Sequence, residues 1–271
     1  MSQLPQLSDA RIELQDRVAT LTFQRDDVRN ALTGTALIDD IVQTVAWANL
    51  NRDVSVLIIT GDGKAFSSGG NVKEMRDKQG MFGGQAAEIQ EGYRQGIQRI
   101  PLAMHDIEVP TIAAINGAAI GAGFDLCNMC DIRIGCPDTL LGETFINLGI
   151  IPGDGGAWFL QRVAGYQRAA ELSLTGRLVQ AEQALEYGIL MELVDKAELL
   201  PRAREIAGEI AAKPPRTVRM TKRLLKAAQR MELKDLLDMS ASLQAISHQT
   251  GDHKEAIEAF LDKRSPSFAG E

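Results

Sequence analysis

Three short segments with the character of buried strands constrain the fold of this chain more than any other feature. They are VSVLIITG at residues 54–61, TIAAING at 111–117 and DIRIG at 131–135. Continuous apolar runs rich in β-branched residues are typical of strands buried on both faces, as in parallel sheets. Between the second and third runs, GFDLCNMC has the length and spacing of a helix. This β-α-β order predicts an α/β core.

The segments on either side predict further elements. RIELQDRVATLTFQ alternates apolar and polar residues, which indicates a hairpin. Residues 36–50 and 84–104 have the pattern of amphipathic helices.

Beyond about residue 157 the pattern is almost purely helical, with an interruption at Pro214 and Pro215. We therefore expect a core over residues 1–200 and a helical region over 201–271. The apolar faces of such a long helical region need partners, which another subunit would supply.

Charge and cysteine content limit the function classes. The formal net charge is −7 and no Lys/Arg-rich run is present, so we expect no nucleic-acid partner. We expect no membrane partner either, because no apolar run approaches about 18 residues and the N-terminus lacks the features of a signal peptide. The three cysteines lie in one apolar stretch without a metal-ligand set. They fit buried, reduced thiols of a cytoplasmic protein that holds no metal.

Two glycine-rich segments follow buried strands and expose backbone N–H groups. They are KAFSSGGN at 64–71 and GAAIGAGF at 117–124, and the second opens a helix. Small residues permit close approach to the backbone, and a helix N-terminus carries unpaired N–H groups. One N–H from each segment, directed at the same oxygen, would form an oxyanion hole. The alternative is that the small residues serve only tight packing of helix against strand.

Longer motifs resemble one family. KAFSSGGNVKEM, PTIAAINGAAIGAGFDLCNMCDIRIG and NLGIIPGDGGAWFLQRVAG occur in the order and spacing of the enoyl-CoA hydratase/isomerase (crotonase) superfamily. AIEAFLDKRSPSF resembles its closing segment, so the resemblance covers essentially the whole chain. It implies a crotonase-like ββα spiral core whose C-terminal helices assemble a homotrimer or homohexamer. It also implies an acyl-CoA thioester substrate and no separate cofactor, because coenzyme A is part of the substrate.

The resemblance also implies roles for particular acids. Asp125 falls where hydratases of the family carry one of two catalytic glutamates, and dienoyl-CoA isomerases are similar in having Asp there. The second glutamate position is Phe145. Glu143 would face the same pocket if this segment were extended, and otherwise would be an exposed strand carboxylate. Asp154 is a third candidate, for which we favour capping of the following helix.

By motif position, the oxyanion N–H groups belong to Ser68 and Ala122. Phe260 and Lys263 match positions at which a neighbouring subunit of family members reaches the CoA nucleotide. The substrate-binding residues implied by the resemblance are Lys64, Ala65, Phe66, Gly69, Phe145, Phe260 and Lys263.

The function favoured at this stage is that of an enoyl-CoA hydratase, which adds water across the α,β double bond through an enolate. Asp125 and Glu143 are its acid/base candidates. A dienoyl-CoA isomerase or an acyl-CoA hydrolase on the same scaffold is the first alternative. A non-catalytic acyl-CoA-binding or assembly subunit is the second, because Phe145 cannot transfer a proton.

Overall fold

The computed structural model describes residues 3–271. Its strands are β1 Ala10–Gln15, β2 Val18–Phe23, β3 Val56–Gly61, β4 Ala65–Ser67, β5 Thr111–Ile115, β6 Ala118–Ile120, β7 Ile132–Gly135, β8 Leu140–Gly142, β9 Leu178–Gln180 and β10 Glu192–Leu193.

The helices up to the second half of the chain are α1 Leu37–Leu50, α2 Val72–Asp77, α3 Ala86–Gln95, α4 Arg99–Asp106, α5 Ala122–Met129, α6 Gly156–Ala164, α7 Tyr166–Thr175 and α8 Ala181–Glu186. The C-terminal helices are α9 Leu199–Ala211, α10 Pro215–Ala228, α11 Leu233–His248 and α12 Gly251–Asp262.

The strands form two sheets that the chain visits in turn. One sheet has the order β1-β2-β3-β5-β7-β10, and the other has the order β4-β6-β8-β9. The pairs β3 and β4, β5 and β6, and β7 and β8 each place one strand in each sheet and are followed by helices. This repetition of two strands and a helical segment is the predicted ββα spiral, so the predicted fold class is confirmed.

The central strands are buried on both faces, as their continuous apolar sequence predicted. In β3, Leu57 and Ile59 belong to one hydrophobic cluster, while Val56 and Ile58 belong to another on the opposite face. Successive side chains of a strand point to opposite faces, so both faces of a buried strand must be apolar. The predicted hairpin is also present, as β1 pairs with β2 in antiparallel register from Ala10 opposite Phe23.

Two boundaries differ from the sequence prediction. The helix predicted over 84–104 is divided into α3 and α4 at Gly96. The predicted division at residue 200 falls inside α9, which packs Ala203 and Ala207 into the same cluster as β3 and β5. Because α9 covers one face of the sheet, we count it with the core.

Helix α10 is fastened to the core through its positive charges. Arg219 donates hydrogen bonds to the carbonyl oxygens of Ala48 and Asn51, at the end of α1. Lys226 donates to carbonyl oxygens at the end of α4, including that of His105 at 2.8 Å. Cations are favourable at helix C-termini because the last carbonyls carry partial negative charge. Among residues 3–271, the helices are too short or too polar for any of them to cross a bilayer.

Candidate active site

A pocket opens where the two glycine-rich segments meet. Gly70 and Ala122 line it from these segments, and Phe145 and Asp154 line it from the region after β8. The remaining lining residues are mostly apolar: Thr33, Ser68, Val72, Met75, Met81, Phe82, Tyr93, Ile97, Ile120, Gly121, Thr144, Leu148 and Ile150. The pocket therefore combines an apolar wall with backbone N–H groups and one carboxylate.

The first segment supplies an uncommitted N–H at Gly70, whereas the sequence prediction named Ser68. The Ser68 N–H donates to the Arg29 carbonyl at 2.9 Å, which leaves it unavailable to a ligand. The Gly69 N–H donates to the Ser67 hydroxyl at 3.1 Å. Within residues 3–271, the Gly70 N–H has no such acceptor. The assignment of the donor to Ser68 is therefore contradicted by the hydrogen bonding of this loop.

The second segment places the start of α5 against the first. Gly121 adopts a left-handed φ of 53° immediately before the helix. Ala122 is the first residue of α5, where backbone N–H groups have no partner inside the helix. Gly69, with a φ of 75°, packs so closely that an added Cβ would lie 2.9 Å from the Ala122 nitrogen. The loop of Gly69 and Gly70 thus abuts the N-terminus of α5.

Asp125 and Glu143 converge on Gly156 next to this pocket. Asp125 is on the first turn of α5 and is completely buried, and Glu143 is 1% exposed. A Cβ atom added to Gly156 would collide with carboxyl oxygens of both residues. Within the described chain, no N–H or hydroxyl donates to these four oxygens. Among the described residues, their hydrogen-bond partners are therefore one another and Asp154, through shared protons.

Asp154 is the third acid of this group, and it lines the pocket. It is 3% exposed, and its Oδ1 has no partner among residues 3–271. The favoured role of Asp154 as a helix cap is wrong, because α6 begins after Gly155 and receives no side-chain capping hydrogen bond.

Burial raises the pKa of all three acids. The pKa of Asp125 is raised well above its ordinary value, first by burial and then by the charges of Asp154 and Glu143. Burial raises the pKa of Glu143 to about 7, and it also raises the pKa of Asp154. With a pKa of about 7, Glu143 exchanges its proton near neutral pH, which is what general acid–base catalysis requires. In residues 3–271, neither this group nor any other set of His, Cys, Asp and Glu has the arrangement of a metal site.

The backbone between Glu143 and Phe145 is not extended. Thr144–Leu148 form a 3₁₀ helix, so the expectation based on strand alternation does not apply. Glu143 is nevertheless buried beside Asp125, while Phe145 turns to the pocket and packs its ring over Gly121. The alternative of an exposed strand carboxylate is therefore excluded for Glu143.

Lys64, Ala65 and Phe66, which were predicted to bind substrate beside the first glycine-rich segment, have different environments. Phe66 is completely buried and packs against Phe23 with ring centroids 5.8 Å apart, so its side chain does not line the pocket, and its predicted contact with substrate stays a prediction. Ala65 is buried in β4, and its carbonyl accepts hydrogen bonds from Asn30 and Asn116. Lys64 is exposed at the turn before β4 and does not line the pocket.

Phe260 and Lys263 do not line the pocket of their own chain. Phe260 is 81% exposed on α12, and Lys263 ends that helix with a left-handed φ of 53°. Their predicted contact with CoA in a neighbouring subunit stays a prediction.

Part of the apolar wall was missed from the sequence. Met75 comes from α2, Met81 and Phe82 from the segment after it, and Tyr93 from α3. Burial and the nearby charge of Asp154 raise the pKa of Tyr93. The spacing of Tyr93 and Ile97 gave no signal of this wall, because α3 ends at Gln95 and Ile97 lies in the turn between α3 and α4.

Comparison with known proteins identifies the family of this chain. The family model described as enoyl-CoA hydratase/isomerase matches residues 13–271. Crotonyl-CoA hydratase of Syntrophomonas wolfei is 32% identical over 95% of this chain and 96% of its own length. The 2,3-dehydroadipyl-CoA hydratase of Escherichia coli is 32% identical over 97% of this chain and its full length.

Solved structures show that the similarity includes the three-dimensional fold. The enoyl-CoA hydratase of Bacillus anthracis has a TM-score of 0.90 at 32% identity, covering 97% of this chain and 100% of the other. A putative enoyl-CoA hydratase of Streptomyces coelicolor has a TM-score of 0.91 at 32% identity, and the match covers 100% of this chain and 98% of the other. Fold, motifs and similarity along nearly the whole length agree, and the chain belongs to the enoyl-CoA hydratase/isomerase family.

Proposed function

We propose that this protein hydrates the α,β double bond of an enoyl-CoA thioester. The observation that carries the proposal is the meeting of three features in one pocket. These are the uncommitted N–H groups of Gly70 and Ala122 and the carboxyl group of Asp154. The relatives named crotonyl-CoA hydratase and 2,3-dehydroadipyl-CoA hydratase support the same reaction.

In the proposed reaction, the thioester oxygen accepts hydrogen bonds from Gly70 and Ala122. The carboxylate of Asp154 takes a proton from water, whose oxygen forms a bond to Cβ. The electron pair of the double bond moves to the thioester oxygen, and the enolate is stabilised by the two N–H groups. The enolate then takes a proton at Cα from the group of acids, which restores the thioester. One water is consumed, and no oxidant or cofactor is needed.

The three acids have different positions in this scheme. Asp154 is the acid/base that reaches the substrate, because it lines the pocket. Asp125 and Glu143 lie behind it beside Gly156 and hold or release the proton that Asp154 exchanges. This arrangement replaces the glutamate that hydratases carry at the position of Phe145.

A second candidate is isomerisation of a dienoyl-CoA or enoyl-CoA. It is favoured by Phe145, which removes one acid from the pocket wall and leaves Asp154 as the lining carboxylate among residues 3–271. One acid/base can move a proton between two carbons without adding water. Hydrolysis of the thioester and a non-catalytic acyl-CoA-binding role are weaker candidates.

The pocket wall supports an apolar acyl group. Met75, Met81, Phe82, Leu148 and Ile150 surround the space beside the N–H groups.

We also propose assembly as a homotrimer or homohexamer. Support comes from apolar side chains exposed on the C-terminal helices: Leu225, Leu233, Leu237, Ile246, Ile257, Phe260 and Leu261.

The three free, buried cysteines fit a reducing compartment such as the cytoplasm.

The experiment combines product identification with a pair of backbone variants. Purified protein is incubated with crotonyl-CoA, and the product is analysed by mass spectrometry for the gain of one water. Gly70→Pro removes the N–H, whereas Gly70→Ala retains it and requires only that the end of Met75 shift. We expect Gly70→Pro to lower kcat by about 10²–10³-fold and Gly70→Ala far less, in samples whose thermal unfolding is cooperative.

In a parallel incubation with a dienoyl-CoA, isomerisation without gain of water would favour the second candidate. Free CoA as product would favour hydrolysis, and CoA binding without turnover would favour the non-catalytic role.

A further inference from the structure

A second cavity of about 450 Å³ lies at the far ends of the helices that form the candidate active site. Its wall includes Asn128, Met129 and Cys130 from the end of α5, and Phe159 from α6. Helix α10 closes another side, and none of the residues that line the first pocket lines this one. It is therefore a separate cavity, which the proposed reaction does not use.

The cavity is strongly cationic in an acidic protein. Arg133, Arg162, Lys222, Lys226 and Arg230 line it. The one carboxylate among its lining residues is Asp131, within the described part of the chain. The whole chain, in contrast, carries a formal net charge of −7. Such a concentration of one sign in a concave site attracts ions of the opposite sign.

Internal contacts account for part of this charge. Lys222 pairs with Asp131 at 2.7 Å, and Lys226 bonds the final carbonyls of α4. Arg133 donates Nε to the Ile189 carbonyl and Nη1 to the Cys130 carbonyl. These bonds leave the positive charges of Lys226 and Arg133 without a carboxylate partner. Burial, followed by the charge of Lys222, lowers the pKa of Lys226 to about 8, so the charged form is disfavoured there.

Arg230 and Asn128 also line the cavity, and their side chains form no hydrogen bond or ion pair within residues 3–271. The Arg230 side chain has no hydrogen-bond or ion-pair partner among residues 3–271. Asn128 is 3% exposed and lines the cavity, yet neither its amide nitrogen nor its oxygen is hydrogen-bonded within those residues. An unpaired buried amide is costly, and a ligand that bonds to it would recover that cost. The central carbon of the Arg162 guanidinium lies 3.7 Å from the centre of the Trp158 ring, and its Nη1 donates to the Trp158 carbonyl, so these two contacts hold the group in place.

We propose that this second cavity binds a small phosphate-bearing anion. Arginine guanidinium groups present forked donors that match phosphate oxygens, and Arg162 and Arg230 are the exposed arginines of the cavity wall. Asn128 provides a neutral donor at the inner wall. The shared chemistry is the phosphate group, which an inorganic phosphate or a nucleotide would supply. The proposal is independent of the reaction in the first pocket.

The test is calorimetric titration of the full chain with inorganic pyrophosphate and, separately, with ADP. Arg230→Gln removes an exposed charge of the cavity without breaking an internal bond, and Asn128→Leu removes the buried amide. Arg223→Gln is the matched control, because Arg223 is an arginine of α10, the helix that Arg230 directly follows, and does not line this cavity. Lys64→Ala tests whether the anion instead contacts Lys64, the lysine that the family resemblance assigns to substrate binding.

We expect pyrophosphate to bind, with affinity that falls as salt concentration rises. Arg230→Gln should weaken binding by about tenfold or more, while Arg223→Gln and Lys64→Ala should bind like the wild type. Asn128→Leu should also weaken binding, and thermal unfolding will show that each variant is folded. If ADP binds more tightly than pyrophosphate, the phosphate group is supplied by a nucleotide. If pyrophosphate binds more tightly than ADP, the ligand is an inorganic anion. Absence of binding, wild-type affinity in Arg230→Gln, or loss of binding in Lys64→Ala would overturn the proposal.

Discussion

Asp125 and Glu143 direct their carboxyl groups at the same face of Gly156, where a single methyl group would collide with both. The three residues come from α5, from the end of β8 and from the start of α6. The group of acids is therefore assembled by packing of separate elements. Gly156 is the position at which this packing is most sensitive.

Replacement of Gly156 by alanine should disturb both acids at once. The added Cβ has no space, so we expect a loss of about 1–3 kcal/mol in the free energy of unfolding and a lower hydration rate. Gly208→Ala is the matched control, since a Cβ there meets nothing within 4 Å. It should stabilise the protein by about 0.4–1 kcal/mol. Chemical denaturation measures both changes, and equal stabilisation by the two substitutions would disprove the crowding at Gly156.

Asp125→Asn should stabilise the protein while it impairs the reaction. Because burial raises the pKa of Asp125, the folded state binds this proton more tightly than the unfolded state. Stability from this group is therefore greatest below its unfolded pKa of about 4 and falls as pH rises toward the folded value.

The advantage of Asp125→Asn in thermal unfolding should thus be larger at pH 8 than at pH 5. Each 1 kcal/mol corresponds to about 2–4 °C for a chain of this size class. The exposed Asp238→Asn serves as control and should change stability little at either pH. An advantage that shrinks as pH rises would contradict the raised pKa.

The pKa of Glu143 should appear in the pH dependence of hydration. With a pKa of about 7, Glu143 changes from protonated to ionised across neutral pH, and its negative charge makes Asp154 a stronger base. We expect kcat to rise between about pH 6 and pH 8, and this rise to be lost or displaced in Glu143→Gln. Glu186→Gln, an exposed acid elsewhere, should retain the wild-type profile. An unchanged profile in Glu143→Gln would exclude Glu143 from the proton exchange.

Much of this site was predictable because it depends on local backbone patterns. The small residues after β3 and β5 indicated two backbone donors, and Ala122 and Asp125 lie on the helix that the pattern predicted. The donor in the first loop was misplaced by two residues, because the bond from Ser68 N–H to Arg29 joins distant segments. Asp125, Glu143 and Gly156 likewise come together only through tertiary packing of separate segments. Their spacing in the sequence does not predict this contact.

Assembly through the C-terminal helices should depend on Phe260. Its side chain is 81% exposed, so Phe260→Ser should cost the isolated chain little, while it removes apolar area from an interface. We expect a smaller mass in light scattering at equal concentration and a higher KM for acyl-CoA. Leu50→Ser, which changes an 87% exposed side chain on α1, is the matched control. Unchanged mass and KM in Phe260→Ser would remove this residue from the proposed interface.

In the proposed reaction, Asp154 takes over the proton transfer that Phe145 cannot perform. The most direct measurement is steady-state hydration of crotonyl-CoA by wild type and Asp154→Asn, followed through loss of the absorbance of the conjugated thioester. A positioned acid/base contributes about 10²–10⁴-fold in rate, so we predict at least about 10²-fold loss of kcat in Asp154→Asn. KM should change little, because the backbone donors and apolar wall persist. Wild-type hydration by Asp154→Asn, or no hydration by the wild type, would contradict the account.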